Sequence, residues 1–150
     1  MKKTLFLILA SMSLLVFVGC SKDKKDDDGG PKSKNMKFTI TTSGLQAPDN
    51  FDVLFAGGDA QGTATTMFKV NGVVQNNQRS VEISKEQMMA GTVIIETTTP
   101  LFTVAVTYGG FSGTEGHTFD FKLEPVIDGV AKPAVTKTIG TDTYSSQNSY

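Results

Sequence analysis

Apolar and polar residues alternate along most of the chain after residue 35. Met36, Phe38 and Ile40 in "MKFTITT" fall on one face of an extended strand, and "FDVLF" and "SVEIS" repeat the pattern. Successive side chains of a strand point to opposite faces, so a period of two indicates strands with one buried and one hydrated face. Such strands belong to antiparallel sheets that are wet on one side. The alternation therefore constrains residues 36–150 to an all-β domain.

Turn signals divide this alternation into short strands. Asn71-Gly72 and Asp128-Gly129 each separate apolar runs, and these residues tolerate the positive φ that a tight hairpin turn needs. About eight short strands follow one another at spacings of about ten residues, which indicates a sandwich or a barrel. We predict an antiparallel β-sandwich of about eight strands. Its core takes the apolar phase of each strand, including Phe102 together with Val104, Val106 and Tyr108.

Only "SKEQMMAG" favours a helix within this domain. Ser84 is a candidate N-cap, Gln87 falls at the capping-box position, and Gly91 is a candidate end. The polar tail begins at Gly140. We expect residues 141–144 to extend the last strand and the remaining residues to fray.

The beginning of the chain is typical of a targeting segment. Lys2 and Lys3 precede an apolar run over residues 5–18, "LFLILASMSLLVFV". A bilayer-spanning helix needs roughly 20 apolar residues, and a run of about 10–14 suits the core of a signal peptide. We predict a signal peptide over residues 1–19, with a buried helix as the alternative.

The single cysteine, Cys20, follows this run directly. "VFVGC" followed by "SKD" resembles the lipobox of bacterial lipoproteins, although Phe17 departs from the leucine that is usual there. The resemblance implies cleavage after Gly19 and a diacylglyceryl group on the Cys20 thiol. One acyl chain anchors a protein only marginally, whereas two or three make attachment to a membrane stable. A small buried cysteine is the alternative interpretation.

Residues 20–35 carry this cysteine and then "SKDKKDDDGGPKSKN", which has no apolar side chain besides Pro31. Such a segment cannot bury enough surface to offset its ordering entropy, so we predict a disordered linker. Its acidic run resembles the surface-export signal of lipoproteins in the Bacteroidota. The matching positions are Lys25, Asp26, Asp27 and Asp28. A plain solvated tether is the alternative. A calcium loop fits poorly, because the spaced ligands and distal glutamate are missing.

These resemblances imply a location and a class of partner. The protein would be anchored by lipid in the outer membrane and would face the cell exterior, with a cell-envelope protein as a possible partner. From Phe38 onward, six Lys and Arg stand against eleven Asp and Glu, a net charge of −5. Nucleic-acid binders present basic patches, so we expect no nucleic-acid partner.

The domain from residue 36 resembles an immunoglobulin-like or transthyretin-like sandwich in pattern. The Cys-Trp-Cys hallmark of antibody domains is missing, since the chain has one cysteine and no tryptophan. The resemblance therefore implies an architecture and no particular activity.

Candidate catalytic residues are sparse. His117 is the only histidine, and Glu115 and Asp120 lie near it in sequence. A catalytic triad needs a histidine held by a carboxylate and facing a nucleophile, and metal sites need three or four ligands. We interpret His117 as an exposed loop residue and expect no cofactor besides the lipid and no metal. Further carboxylates fall on the polar phase of their strands, where they keep an outer face wet: Glu82, Glu96, Asp120 and Glu124.

Two glycine-rich pieces, "FAGGDAQGTA" and "YGGFSGTEG", lack the Gly-Lys-Ser/Thr ending of a phosphate loop. We interpret them as strand connections. Two functional hypotheses remain. The first is a non-catalytic binding, adhesion or accessory module with a protein partner, since stacking aromatics for a glycan are few. The second is a small hydrolase or metal-dependent enzyme that uses His117 and nearby carboxylates.

Overall fold

Two antiparallel sheets pack face to face in the computed structural model, which describes residues 32–150. The large sheet has the order β10-β8-β1-β6-β3-β4, with β9 paired to β8, and the small sheet has the order β11-β7-β2-β5. The elements are β1 (Met36–Ser43), β2 (Asn50–Gly58), β3 (Phe68–Val70), β4 (Val73–Val74), β5 (Ser80–Ile83), α1 (Lys85–Met89), β6 (Val93–Thr97), β7 (Thr103–Phe111), β8 (Phe119–Ile127), β9 (Val130–Ala131), β10 (Val135–Ile139) and β11 (Tyr144–Ser149). The predicted all-β sandwich is confirmed, with more strands than expected.

The core lies between the two sheets and takes one side of each strand. Phe51 of the small sheet packs against Phe119 and Phe121 of the large sheet, with ring centroids 5.3 and 5.0 Å apart. Phe38 and Phe55 make a second contact between the sheets at 5.2 Å. Tilted and edge-on aromatic pairs such as these stabilise a core beyond their burial. Within residues 32–150 the buried hydrophobic side chains form one cluster between the sheets.

Both predicted hairpin turns are confirmed. Asn71 and Gly72 have φ of 49° and 81°, and they join β3 to β4. Asp128 and Gly129 have φ of 49° and 78°, and they join β8 to β9. Two successive positive φ values define the turn whose twist matches that of the flanking strands, which is why these dipeptides are informative in sequence.

The predicted helix is also present, as α1. The Gln87 side-chain oxygen accepts the backbone N–H of Ser84 at 2.9 Å, which is the reciprocal half of a capping box. Gly91 follows the helix with φ of 139°, a conformation that side chains rarely adopt. Within residues 32–150 no helix is long and apolar enough to cross a membrane.

The placement of Phe102 in the core is wrong. Phe102 is 39% exposed, whereas Leu101 is fully buried and Val104 resumes the buried phase. The chain bends just before β7, where Leu101 pairs with Lys34 and the Phe102 N–H bonds to the Gly58 carbonyl. The bend shifts the alternation by one residue, so the period of two cannot be extended back through Pro100.

The prediction that the tail frays is wrong as well. Residues 144–149 form β11, which pairs with β7 along its whole length. Tyr150 continues the pairing, since it exchanges two backbone hydrogen bonds with Val104. The centre of its ring lies 5.2 Å from the centre of the Phe38 ring. The hydrogen-bonding edge of β7 satisfies a polar segment that has little hydrophobic drive of its own.

Several glycines of the two glycine-rich pieces lie inside strands, which corrects their interpretation as connections alone. Gly57 and Gly58 end β2, and Gly109 and Gly110 belong to β7. A Cβ atom on Gly109 would lie 2.6 Å from the Tyr144 carbonyl oxygen, and one on Gly110 would collide with the Asn50 backbone. These glycines therefore permit β11 and β2 to approach β7 closely.

The chain enters the sandwich at one end, here called the entry end. Lys34 pairs with Leu101, and the Asn35 N–H donates to the Asp128 carboxylate at 2.9 Å. Lys34 and Asn35, which the linker prediction included, therefore belong to the folded domain. The predicted signal peptide over residues 1–19 and the linker up to Pro31 lie outside the described residues.

The opposite end, here called the loop end, gathers four connections. They comprise residues 44–49 between β1 and β2, residues 84–92 around α1, residues 112–118 between β7 and β8, and residues 140–143 between β10 and β11. The strand directions place these four connections together, because every strand that leaves or reaches them does so at that end.

Candidate functional site

A buried carboxylate, Asp49, organises the loop end. Its side chain is only 1% exposed. Oδ2 accepts the Gln46 backbone N–H at 2.8 Å, and Oδ1 accepts the Gly113 N–H at 3.0 Å and the Ser112 hydroxyl at 3.1 Å. Buried charges are tolerated when hydrogen bonds replace the lost water, and Asp49 obtains those bonds from two different loops.

His117 lies beside this carboxylate. Its Nε2 atom is 3.3 Å from Asp49 Oδ2 and 3.0 Å from the carbonyl oxygen of Gly44. Both neighbours are acceptors, so Nε2 is assigned the hydrogen. The imidazole is 18% exposed. The interpretation of His117 as an exposed loop residue is therefore wrong, because the loop folds back and presses the ring against Asp49 and Gly44.

These contacts set the protonation state of Asp49. Burial by itself raises the pKa of the carboxyl group, because it disfavours the charged form. Hydrogen bonds from the Gln46 and Gly113 backbones and from Ser112, together with the charge of His117, act in the opposite direction and prevail. The pKa of Asp49 is therefore lowered from its ordinary value of 3.8, and the group stays ionised near neutral pH.

Lys85 attaches the helix to the same assembly. Its Nζ atom donates to the carbonyl oxygens of Ala47 and Asp49 at 2.6 and 2.8 Å. Gly113 adds a close approach, since a Cβ atom there would collide with the backbone of Pro48. Three of the four connections are thus fixed to one another by polar bonds and close backbone packing.

This arrangement differs from a nucleophilic triad. In a triad the imidazole lies between the carboxylate and the hydroxyl that it activates. Here the Ser112 hydroxyl bonds to Asp49 itself and contacts the backbone of Thr114, while the imidazole bonds to Asp49 and Gly44. The carboxylate therefore stands between the other two groups, and its bonds serve to hold loops.

The neighbours of His117 that the sequence suggested do not join it. Glu115 is exposed, and Asp120 accepts a hydrogen bond from Thr138 at 2.6 Å. Glu124 pairs with Lys122 at 2.7 Å on the large sheet, and Glu82 is exposed on the small sheet. In the part of the chain from residue 32 onward, no three His, Cys, Asp or Glu side chains are grouped as a metal site would require.

A second carboxylate, Asp59, organises a loop at the entry end. Its Oδ2 atom accepts the N–H groups of Thr63 and Ala64 at 2.8 and 3.1 Å, and Oδ1 meets Arg79 at 3.2 Å. Desolvation by itself raises the pKa of Asp59. The hydrogen bonds from the Ala64 and Thr63 backbones and the charge of Arg79 outweigh it, so the pKa is lowered from its ordinary value of 3.8. The loop of "GGDAQGTA" is thus closed by its own aspartate.

Sequence reasoning did not single out Asp49, Ser112 or Lys85. The available signal was the "PDN" at residues 48–50, because aspartate after proline favours a turn that its own side chain closes. The predicted site residues Cys20, Lys25, Asp26, Asp27 and Asp28 lie outside the described residues.

Comparisons with known proteins identify the class of fold. No protein-family model matches the chain, and no curated protein matches it in sequence. The solved structure of a protein from Parabacteroides distasonis, determined by NMR in a calcium-bound form, is similar with a TM-score of 0.63 and 17% identity. The match covers 84% of this chain and 98% of that one.

Two crystal structures of DUF4425 proteins are also similar. The DUF4425 domain of unknown function from Bacteroides vulgatus gives a TM-score of 0.61 at 17% identity, covering 79% of this chain and 94% of that chain. The DUF4425 family protein from Bacteroides ovatus gives 0.56 at 15% identity, covering 79% and 95%. The chain thus shares its β-rich fold with these proteins of the Bacteroidetes.

Proposed function

We propose that this chain is a lipid-anchored, surface-exposed binding module without catalytic activity, and that its loop end contacts a protein of the cell envelope. The observation that carries the proposal is the separation of the two ends. The chain enters at Lys34 and Asn35, whereas the Asp49 assembly lies at the other end of the strands. An anchor on Cys20 would therefore leave the loop end pointing away from the membrane.

The distances involved support this arrangement. A nine-residue strand such as β2 spans roughly 30 Å at about 3.3 Å per residue. The segment from Cys20 to the entry end could reach at most about 50 Å if fully extended. Lipid on Cys20 would hold the domain near the membrane while the loop end remained accessible.

The construction of the loop end also supports a binding role. Binding residues are disproportionately found on loops that a rigid scaffold positions. Asp49, Lys85 and Gly113 fix three connections before any partner arrives, which lowers the entropy lost on binding. Two large apolar side chains are exposed at this end, Met89 at 45% and Phe111 at 36%, and a protein partner would cover such side chains.

Residues 25–28 support a further part of the proposal, which concerns where in the cell envelope the protein is located. The sequence "KDDD" would direct the lipidated protein to the outer face of the outer membrane, as in the lipoproteins that it resembles. A hydrophilic tether of this composition would also keep the domain clear of the lipid surface.

Calcium is not part of the proposal. The Parabacteroides protein was determined with calcium bound, whereas the described residues of this chain bring no three His, Cys, Asp or Glu side chains together. Asp49 and Asp59, the two carboxylates with the most contacts, direct both of their oxygens to hydrogen-bond donors. Calcium needs six to eight oxygen ligands, which these carboxylates are not free to provide.

A photo-crosslinking experiment in the native cell tests the proposal. A crosslinking amino acid at Glu115, exposed at the loop end, should yield a defined adduct with an envelope protein. The matched control places it at Val130, which is 58% exposed near the entry end, and should give little of that adduct. Equal adducts at both positions, or none at Glu115, would contradict binding through the loop end.

A further inference from the structure

The outer edge of β11 is an unprotected strand edge. Sheet edges are commonly protected by short strands, charges or proline, because unpaired backbone groups recruit other strands. β4 has two residues, and β5 has four and runs directly into α1. The edge strand β10 carries a charged residue, Lys137, whose Nζ atom lies 4.8 Å from the centre of the Tyr144 ring. By contrast, β11 has six residues, "YSSQNS", with no charge and no proline.

The backbone phase of β11 shows which of its groups are unpaired. Tyr150 exchanges both its N–H and its carbonyl bond with Val104. Antiparallel strands bond through alternate residues, so Tyr144, Ser146 and Asn148 also direct their backbone groups toward β7. Ser145, Gln147 and Ser149 therefore direct their N–H and carbonyl groups away from the sheet.

We propose that β11 pairs with β11 of a second copy of this chain, antiparallel, across a two-fold axis at Gln147. In this register Gln147 lies opposite the partner's Gln147, and Ser145 lies opposite the partner's Ser149. Among residues 32–150 each of these positions has no partner for its two backbone groups, so every pair would exchange two hydrogen bonds. The small sheets of the two copies become one continuous sheet.

The side chains of β11 are compatible with this pairing. Ser145, Gln147 and Ser149 are exposed on the outer face, and they are small or neutral. The two Gln147 amides can bond to each other across the axis, because each has a donor and an acceptor. A symmetric interface places a residue near its own copy, so a charge at the axis would repel itself, and β11 has none.

The symmetry has a consequence for anchored molecules, which rests on the proposed lipid anchor. Antiparallel pairing places the entry ends of the two copies at opposite ends of the dimer. Anchors at both entry ends would then point in opposite directions. The dimer can therefore join copies on two facing membranes, which is the arrangement we propose, and linkers of up to about 50 Å would also allow both anchors to lie in one membrane.

Sedimentation of the chain over residues 20–150, with Cys20 replaced by serine, tests the pairing. We expect a concentration-dependent dimer for the chain with Gln147. Gln147→Pro removes the outward N–H and no bond to β7, so it should weaken dimerisation by at least about tenfold while the domain stays folded. Gln147→Thr keeps the N–H and serves as the matched control with dimerisation retained. A monomer at all concentrations would overturn the pairing.

Gln147→Lys covers the case in which the proline variant fails to fold. It places two like charges at the axis and should weaken the dimer by at least about tenfold. Ser80→Lys puts the same charge on β5, the other edge of the small sheet, and should leave the dimer intact. Equal dimerisation of Gln147→Lys and Ser80→Lys would show that the dimer uses another surface and would overturn the proposal.

Vesicles test the facing-membrane arrangement. The thiol of Cys20 can be coupled to a maleimide lipid, because it is the only cysteine of the chain. Vesicles that carry the coupled chain should cluster, as measured by light scattering, and vesicles with Gln147→Pro should not. A solution dimer without clustering would overturn the facing-membrane arrangement. A missing lipid on Cys20 in cells would instead contradict the proposed function and leave the solution dimer unaffected.

Discussion

The Nε2 atom of His117 lies 3.3 Å from the carboxylate oxygen Oδ2 of Asp49, and this contact joins the connection after β7 to the connection before β2. The imidazole also bonds to the Gly44 carbonyl, so one side chain spans both ends of a single loop. Together with Ser112 and Gly113 on Oδ1, it leaves the buried carboxylate without an unpaired oxygen. The loop end is consequently a fixed surface.

Asp49→Asn should destabilise the domain by about 1–3 kcal/mol. The variant replaces one carboxylate oxygen by an NH₂ group, which faces the existing donors and leaves buried N–H groups unpaired. The unfolding free energy from urea titration measures this loss. Asp52→Asn makes the same chemical change at an exposed position of β2 and should shift stability by less than about 0.5 kcal/mol. Equal effects of the two variants would contradict the structural role of Asp49.

Stability should fall in acid because of the same carboxylate. The pKa of Asp49 is lower in the folded chain than its ordinary value of 3.8, so the unfolded chain binds the proton more readily. The stabilisation is therefore fully present above that value and is lost as the pH falls through the folded pKa. Urea titrations at several pH values below about 5 should show a shallower decline for Asp49→Asn. Parallel declines would show that other groups are responsible.

Gly110→Ala should cost about 2–3 kcal/mol, because the new Cβ atom would collide with the Asn50 backbone and force β2 away from β7. Thermal unfolding followed by circular dichroism measures the effect. Gly116→Ala is the control: its φ is 72° and no atom lies near the added Cβ, so it carries only backbone strain of about 1 kcal/mol. A Gly110→Ala chain as stable as the control would contradict the close approach of these strands.

Lipidation should depend on Cys20 alone. In cells fed a clickable fatty acid, the chain should be labelled, and Cys20→Ala should abolish the label because no other thiol exists. Ser21→Ala alters the adjacent residue and should leave labelling intact. Persistent label on Cys20→Ala would rule out the proposed anchor.

Surface display should depend on the acidic run. Replacement of Asp26, Asp27 and Asp28 by asparagine keeps the size and hydration of the segment and removes its charge. We expect loss of cleavage by protease added outside intact cells, with the total amount and the lipid label unchanged. Undiminished cleavage would show that the segment is a solvated tether that does not direct the protein to the cell surface.

Much of the fold could be predicted because its signals are local. The alternation around Phe38, Phe51 and Phe121 identified buried faces, since strand geometry imposes a period of two on any strand with one dry side. Asn71-Gly72 and Asp128-Gly129 identified hairpins, because each dipeptide carries the φ values of its turn. Gln87 identified the helix start, since its bond to Ser84 closes within one turn.

The sequence by itself thus determined most of the strands, two turns, the helix and a core rich in phenylalanine, because each depends on neighbours within a few residues. Only the tertiary structure decided that the polar tail becomes β11, since a free edge on β7 satisfies its backbone. It also decided that Asp49, Ser112 and His117 meet, because these loops are distant in sequence and are joined only by the direction of the strands. A sequence pattern indicates that a residue is buried or requires a hydrogen-bond partner, whereas the packing of the two sheets determines which distant residue contacts it.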